Sequence, residues 1–190
     1  PETLTEYNFV LAGSVQVNIY PKWFVGWGEK IAIHVSWMEE AFFVGIGHHA
    51  LPVGMSLSTP LAEKYRDDPP AHSYVAGVLF DMVADAKLTM YQEEHSMMWP
   101  ETRPLVKEIW STAQRLGVKE FIPRMKYIVR DDHLPLYQIA KIPVCDLIDF
   151  EYPDPRNRYW HTTADAPGRC SAASLDKVGR VIQAWLATKR

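Results

Sequence analysis

Cysteine is almost missing from this chain: Cys145 and Cys170 are the only two in 190 residues. Two thiols can pair once, too few to make a disulfide framework, and they say little about compartment. Long apolar runs are missing as well; none approaches the roughly 20 residues needed to span a bilayer. There is no basic block and no long acidic tail. With 20 Lys and Arg against 23 Asp and Glu, the formal net charge is −3, so nucleic acid and an anionic membrane are poor partners. Internal repeats and low-complexity linkers are also lacking, which favours a single domain over residues 1–190. The start, Pro1-Glu2-Thr3, carries neither an initiator Met nor a signal-peptide pattern, so the chain is expected to be truncated or divergent over residues 1–30.

What is present is an ordinary core-forming composition. Apolar residues make up 47% and charged residues 23%, enough to bury a core and unlike a disordered chain. Lys30 to Trp37 reads as a strand, rich in β-branched and aromatic residues. Tyr74 to Phe80 reads as a second, nearly continuous in apolar character, as a strand covered on both faces would be. Ile142 to Phe150 reads as a third, and Phe9 to Tyr20 can hold one or two more around an Ala12-Gly13-Ser14 turn.

Helical patterns alternate with these. Thr59 to Arg66 is short, with Thr59 suited to cap and Pro60 to the first turn. Pro104 to Leu116 places Leu105, Ile109, Trp110, Ala113 and Leu116 at helical spacing, with Gly117 where a C-terminal cap belongs. Ser171 to Lys189 carries Leu175, Val178, Ile182, Trp185 and Leu186 on one stripe. Buried strands between amphipathic helices imply an α/β fold, a three-layer sandwich whose central sheet is mixed and largely parallel, flanked by helices. In such folds chemistry gathers at the carboxyl ends of strands.

The candidate residues lie there. Glu39 and Glu40 follow the first strand; the pair suits a solvated turn, or a metal site with one carboxylate as ligand and the other as general base toward the attacking water. Asp81 ends the apolar strand, and a carboxylate at that place needs a metal or a hydrogen-bond network. His133 stands behind Asp131 and Asp132 and ahead of Leu134-Pro135-Leu136, in a loop that returns to the core. Such a histidine is either a hydrogen-bonded structural residue or a ligand oriented by a carboxylate. Trp160 and His161, after a Pro-rich charged loop, suit a pocket wall or a packing corner. His48 and His49 are adjacent, point apart, and read as loop residues.

In order and spacing, these segments resemble the co-catalytic zinc aminopeptidases, which share a fold with the glutaminyl cyclases. The match runs through Trp37-Met38-Glu39-Glu40, Val78 to Asp85, Asp131 to Leu136, Ile142 to Phe150 and Tyr159 to Asp165, and ends in the C-terminal helix. The resemblance implies Glu39 as general base, Glu40 and His133 as ligands of one zinc, and Asp81 as ligand of a second zinc or part of a hydrogen-bond network. It places Asp132 in the outer shell, with Trp160 and His161 lining or bracing the substrate pocket. One or two zinc ions and peptide substrates follow, as does an extracellular or periplasmic setting. Removal of N-terminal residues is the expected activity; cyclisation of N-terminal glutamine and a non-catalytic binding domain are the alternatives.

One departure stands out. The family carries an upstream Asp shared between metals, whereas no Asp occurs here before Asp67. Either that segment is missing or misassigned, or the chain has lost metal, or Glu6, Glu29 or one of His34, His48 and His49 has taken the role. Ala84 also replaces the usual glycine of the Asp81 segment.

Overall fold

A computed structural model describes residues 7–11, 15–19, 31–36 and 41–46 as backbone, and residues 58–71, 73–160 and 162–189 in full. In chain order the elements are β1 (Tyr7–Leu11), β2 (Val15–Ile19), β3 (Ile31–Ser36), β4 (Ala41–Ile46), α1 (Ser58–Asp67) and β5 (Ala76–Asp81). They continue with β6 (Met90–Gln92), α2 (Glu94–Met98), α3 (Arg103–Arg115), β7 (Phe121–Met125), α4 (His133–Gln138), β8 (Val144–Ile148) and α5 (Ala172–Leu186). The chain divides into two compact units: Pro1–Phe80 with Arg130–Val144, and Asp81–Val129 with Cys145–Arg190.

In the first unit β1 lies between β2 and β3, antiparallel to both, with Leu11 opposite Val15 and Asn8 opposite His34. β4 pairs antiparallel with β3, Ser36 opposite Ala41. Only three residues separate β1 from β2 and four separate β3 from β4, too few for the crossover a parallel pair demands. Parallel pairing starts at β5, which runs beside β4 with Phe42 opposite Ala76 and Ile46 opposite Phe80. The intervening stretch holds α1, the crossover helix such a pair needs. The sheet is therefore mixed, in an α/β fold, as the alternation of patterns implies.

Packing in this unit is aliphatic. Ala62 of α1, Leu79 of β5, Leu136 of α4, Ile142 and Val144 form one buried cluster, with Leu61, Tyr65 and Tyr74 against it. The first helix begins at Ser58, so Thr59 lies inside its first turn instead of capping it. Boundary shifts of one residue are normal, because terminal turns fray.

The second unit holds the long helices. α3 buries Leu105, Val106, Ile109, Trp110, Thr112 and Ala113; of the expected stripe Leu116 is instead exposed, because it caps the helix beyond its last turn. It stops as Gly117 turns to φ 70°. There the Val118 amide reaches the Ala113 carbonyl at 2.9 Å and the Gly117 amide reaches Gln114 at 3.1 Å, the paired bonds of a Schellman cap. At the other end, Thr102 makes no side-chain cap, but Pro104 occupies the first turn. α5 starts where Ser171 Oγ accepts from the Ser174 amide at 3.3 Å, and it buries Val178, Val181, Ile182 and Trp185. Parallel β6 and β7 pair with Met90 opposite Phe121. The Trp110 indole donates to the Ile122 carbonyl at 3.0 Å, fixing α3 to β7.

Five short elements go beyond the sequence-based expectation: β4, β6, α2, β7 and α4. The last corrects a specific point. His133 opens a helix and does not sit in a loop.

Candidate functional site

One strand end, one short helix and the turns after β8 carry the described candidate residues. Asp81 ends β5, and its carbonyl accepts from the Asp149 amide at 3.4 Å. Met82, directly after it, adopts φ 51°, a left-handed turn that stops the strand. Asp81 itself is half-buried.

Asp149, beyond the end of β8, is buried more fully. Its Oδ2 accepts from the Thr89 amide at 2.8 Å and its Oδ1 from the Glu151 amide at 3.0 Å. Burial pushes its carboxyl up to about 7, and the nearby charges of Asp85 and Glu151 act in the same direction against the two amide bonds. Asp85 is only 7% exposed, and its Oδ2 has no hydrogen-bond partner among the described residues. Asp146 and Glu93 are buried acids of the same unit. Of these four, the sequence offered only the two aspartates standing inside an apolar strand run as a signal; Glu93, in Gln92-Glu93-Glu94, looks like any surface acid.

Asp131, Asp132 and His133 enter α4 together. Asp131 Oδ1 accepts from the Asp132 amide at 2.7 Å. Asp132 Oδ1 accepts from the Ser58 amide at 3.4 Å, tying the start of α4 to the start of α1. His133 has 0% exposure.

Trp160 is 40% exposed. Phe150 meets it edge-on at 5.6 Å and contacts Tyr127 at 5.4 Å. Tyr127 donates its hydroxyl to Glu151 Oε1 at 2.7 Å, and Lys126 pairs with the same oxygen while lying 4.6 Å from the Tyr127 ring centre. The Glu151 bond raises the Lys126 ammonium above its ordinary value. A half-exposed tryptophan is thus backed by a row of aromatic rings.

Glu39, Glu40 and His161 lie outside the described residues, as do His48 and His49. Cys145 is buried and Cys170 exposed, and the two are unpaired. Burial pushes the Cys145 thiol up, which leaves it unreactive.

The order of acids and histidines along this α/β chain is what the comparisons with known proteins bear on. The model of peptidase family M28 matches residues 29–186. The chain belongs to peptidase family M28.

Solved structures agree with M28 membership. The chain is 28% identical to Porphyromonas gingivalis glutaminyl cyclase, with a TM-score of 0.61 over 68% of this chain and 48% of that one. It is 25% identical to a Zn-dependent exopeptidase from Parabacteroides distasonis, with a TM-score of 0.60 over 72% and 47%. Fimbriiglobus ruber glutaminyl cyclase is 30% identical, with a TM-score of 0.59 over 67% and 42%. This M28 chain therefore spans somewhat under half the length of these structures. No curated protein matches it.

Family and neighbours point to an exopeptidase-like, metal-dependent fold with zinc as the metal. Carboxylate and imidazole, the donors present, are ligand types that zinc takes. Among the described residues no three of His, Cys, Asp and Glu form a group that could hold an ion. No helix of the described residues is long and apolar enough to cross a membrane.

Proposed function

We propose that this chain is part of a zinc-dependent enzyme acting on the N-terminal residue of peptides, and that it removes that residue by hydrolysis. The M28 match over residues 29–186 carries the reading. In it, Glu39 takes the proton of the attacking water. Glu40 and His133 hold zinc, with Asp81 as ligand of a second ion or as part of a hydrogen-bond network. Zinc, when bound, polarises the scissile carbonyl and makes water more acidic. Asp132 serves in the outer shell, and Trp160 offers an apolar face to the substrate.

His133 is the ligand implied by its place behind Asp132. Its 0% exposure is compatible with that role, because the position open to water and substrate belongs to the metal and not to the ligand side chain. His161 lines or braces the substrate pocket. Zinc per chain, measured by elemental analysis after dialysis against metal-free buffer, tests this. His133→Asn should lose zinc whereas His161→Asn should keep it; loss in His161→Asn alone would overturn this assignment. A parent chain near zero zinc would remove the enzyme reading.

A second reading, cyclisation of N-terminal glutamine, is supported by the glutaminyl cyclases at 28% and 30% identity, against 25% for the exopeptidase. Turnover of a leucine anilide against a glutaminyl one separates the two. In either case Glu39→Gln should cost at least about a hundredfold in rate.

A further inference from the structure

Glu93 is 1% exposed and has no place in the site just proposed. Its Oε1 accepts from the His95 amide at 3.0 Å and its Oε2 from the Ser96 amide at 2.7 Å and the Ser96 hydroxyl at 3.0 Å. Those bonds cap α2, an ordinary task for a carboxylate. A further one is not local. Oε1 also accepts from the Val129 amide at 3.1 Å, 36 residues along the chain. Two backbone bonds flank it: the Lys126 amide donates to the Gln92 carbonyl at 3.0 Å and the Glu94 amide to the Tyr127 carbonyl at 2.9 Å.

Val129 is the last residue before the chain leaves the second unit for Arg130–Val144, the segment bearing Asp131, Asp132 and His133. That segment returns at Cys145. The next residue, Asp146, donates its amide at 3.1 Å to Ser96 Oγ, the hydroxyl that also donates to Glu93. One buried pair, Glu93 and Ser96, therefore grips the chain at both ends of the segment.

We infer that Glu93 is a positioning residue that sets the placement of Asp132 and His133 through Val129 and Ser96; this rests on the reading that the segment serves the metal site. The chemistry requires a carboxylate. Every hydrogen bond described at its two oxygens comes from an N–H or O–H, and an ionised carboxylate accepts at both. A glutamine keeps one acceptor and turns an NH2 toward donors, leaving a buried amide without its bond. Release at Val129 frees the backbone that enters α4, whereas α3 and α5 carry their own caps.

The test uses Glu93→Gln and Ser96→Ala in the full chain, with hydrogen exchange read by mass spectrometry and zinc affinity read by competition with a chelator. Glu93→Gln should raise exchange in residues 130–138 at least about tenfold while α3 and α5 stay within about twofold. Zinc affinity should fall about tenfold, as when a group supporting a ligand is lost. Ser96→Ala keeps the carboxylate, should shift both readouts in the same direction by less, and carries the test should Glu93→Gln not fold. Unchanged exchange in 130–138 overturns the proposal. So does an equal rise in α3 and α5, which would mark plain destabilisation, or a local rise with zinc affinity unmoved. If the parent chain binds no zinc, the enzyme reading fails separately, and exchange still decides whether Glu93 fixes the segment.

Discussion

Among the described residues, the two units bury different chemistry. Around α1 and α4 the first encloses Ala62, Leu79, Leu136, Ile142 and Val144, with Tyr65 and Tyr74 rings 5.0 Å apart beside them. The second packs the α3 and α5 stripes and also encloses Asp85, Glu93, Asp146 and Asp149. An aliphatic core is held by surface removed from water, a graded and largely pH-independent term. Buried carboxylates stay in place only with donors aimed at them, and they couple the fold to protons. Sensitivity to pH should therefore concentrate in the second unit, whereas a cavity in the aliphatic cluster of the first should cost the same at every pH.

Leu136→Ala should break the first half of that contrast most strongly. Leu136 is 1% exposed, and truncating a fully buried leucine costs about 3 kcal/mol. Urea unfolding should show that loss with the same size at pH 5 and pH 8; a loss confined to one pH would deny the contrast.

Asp149 sharpens the other half. Its carboxyl is raised from 3.8 to about 7, so between those values the folded state holds a proton that the unfolded state has released. Its contribution is complete below about pH 4 and is lost as pH rises toward 7, at a slope of at most about 1.4 kcal/mol per pH unit. Asp149→Asn should remove this slope from unfolding curves measured across pH 4 to 8. A slope that survives in the variant would assign the proton to another group.

Ser171→Ala removes the cap at the start of α5 and should cost about 1 kcal/mol, equal at all pH values. The smallest effect is expected for Gly117→Ala. The residue has φ 70° and nothing within 4 Å of an added Cβ, so backbone strain acts alone, partly offset by a stiffer unfolded chain. A net loss of about 0.5 kcal/mol should appear in thermal unfolding.

α3 and α4 show how much of this was legible. α3 announces itself through a stripe from Leu105 to Ala113, Pro104 in the first turn and Gly117 at the stop, and the observed helix matches within a residue. α4 has six residues, Pro135 inside, and no side-chain cap at Asp132. Its sequence reads as a loop. It is helical because Leu136 reaches the cluster formed with α1 and β5, and six residues carry too few turns to show a period of their own. The candidate site divided the same way. Asp81 was legible as a carboxylate ending an apolar strand, and Asp132 and His133 as a charged motif before Leu134-Pro135-Leu136. The support behind them was not: Glu93 resembles a surface acid until its partner at Val129 is known.

By itself, the sequence determined the α/β class, the extents of α3, α5, β3 and β5, and the order of acidic and histidine segments that marks peptidase family M28. Those are properties of neighbours along the chain: periodicity, capping, turn chemistry and spacing. Only the tertiary structure decided that the first strands pair antiparallel, that His133 is enclosed at the start of a helix, and that Asp149 holds its proton toward neutrality. It alone decided that Glu93 joins α2 to Val129. Each of these depends on which distant residues surround a group, because burial and hydrogen-bond partners are set by packing in space and not by position in the chain.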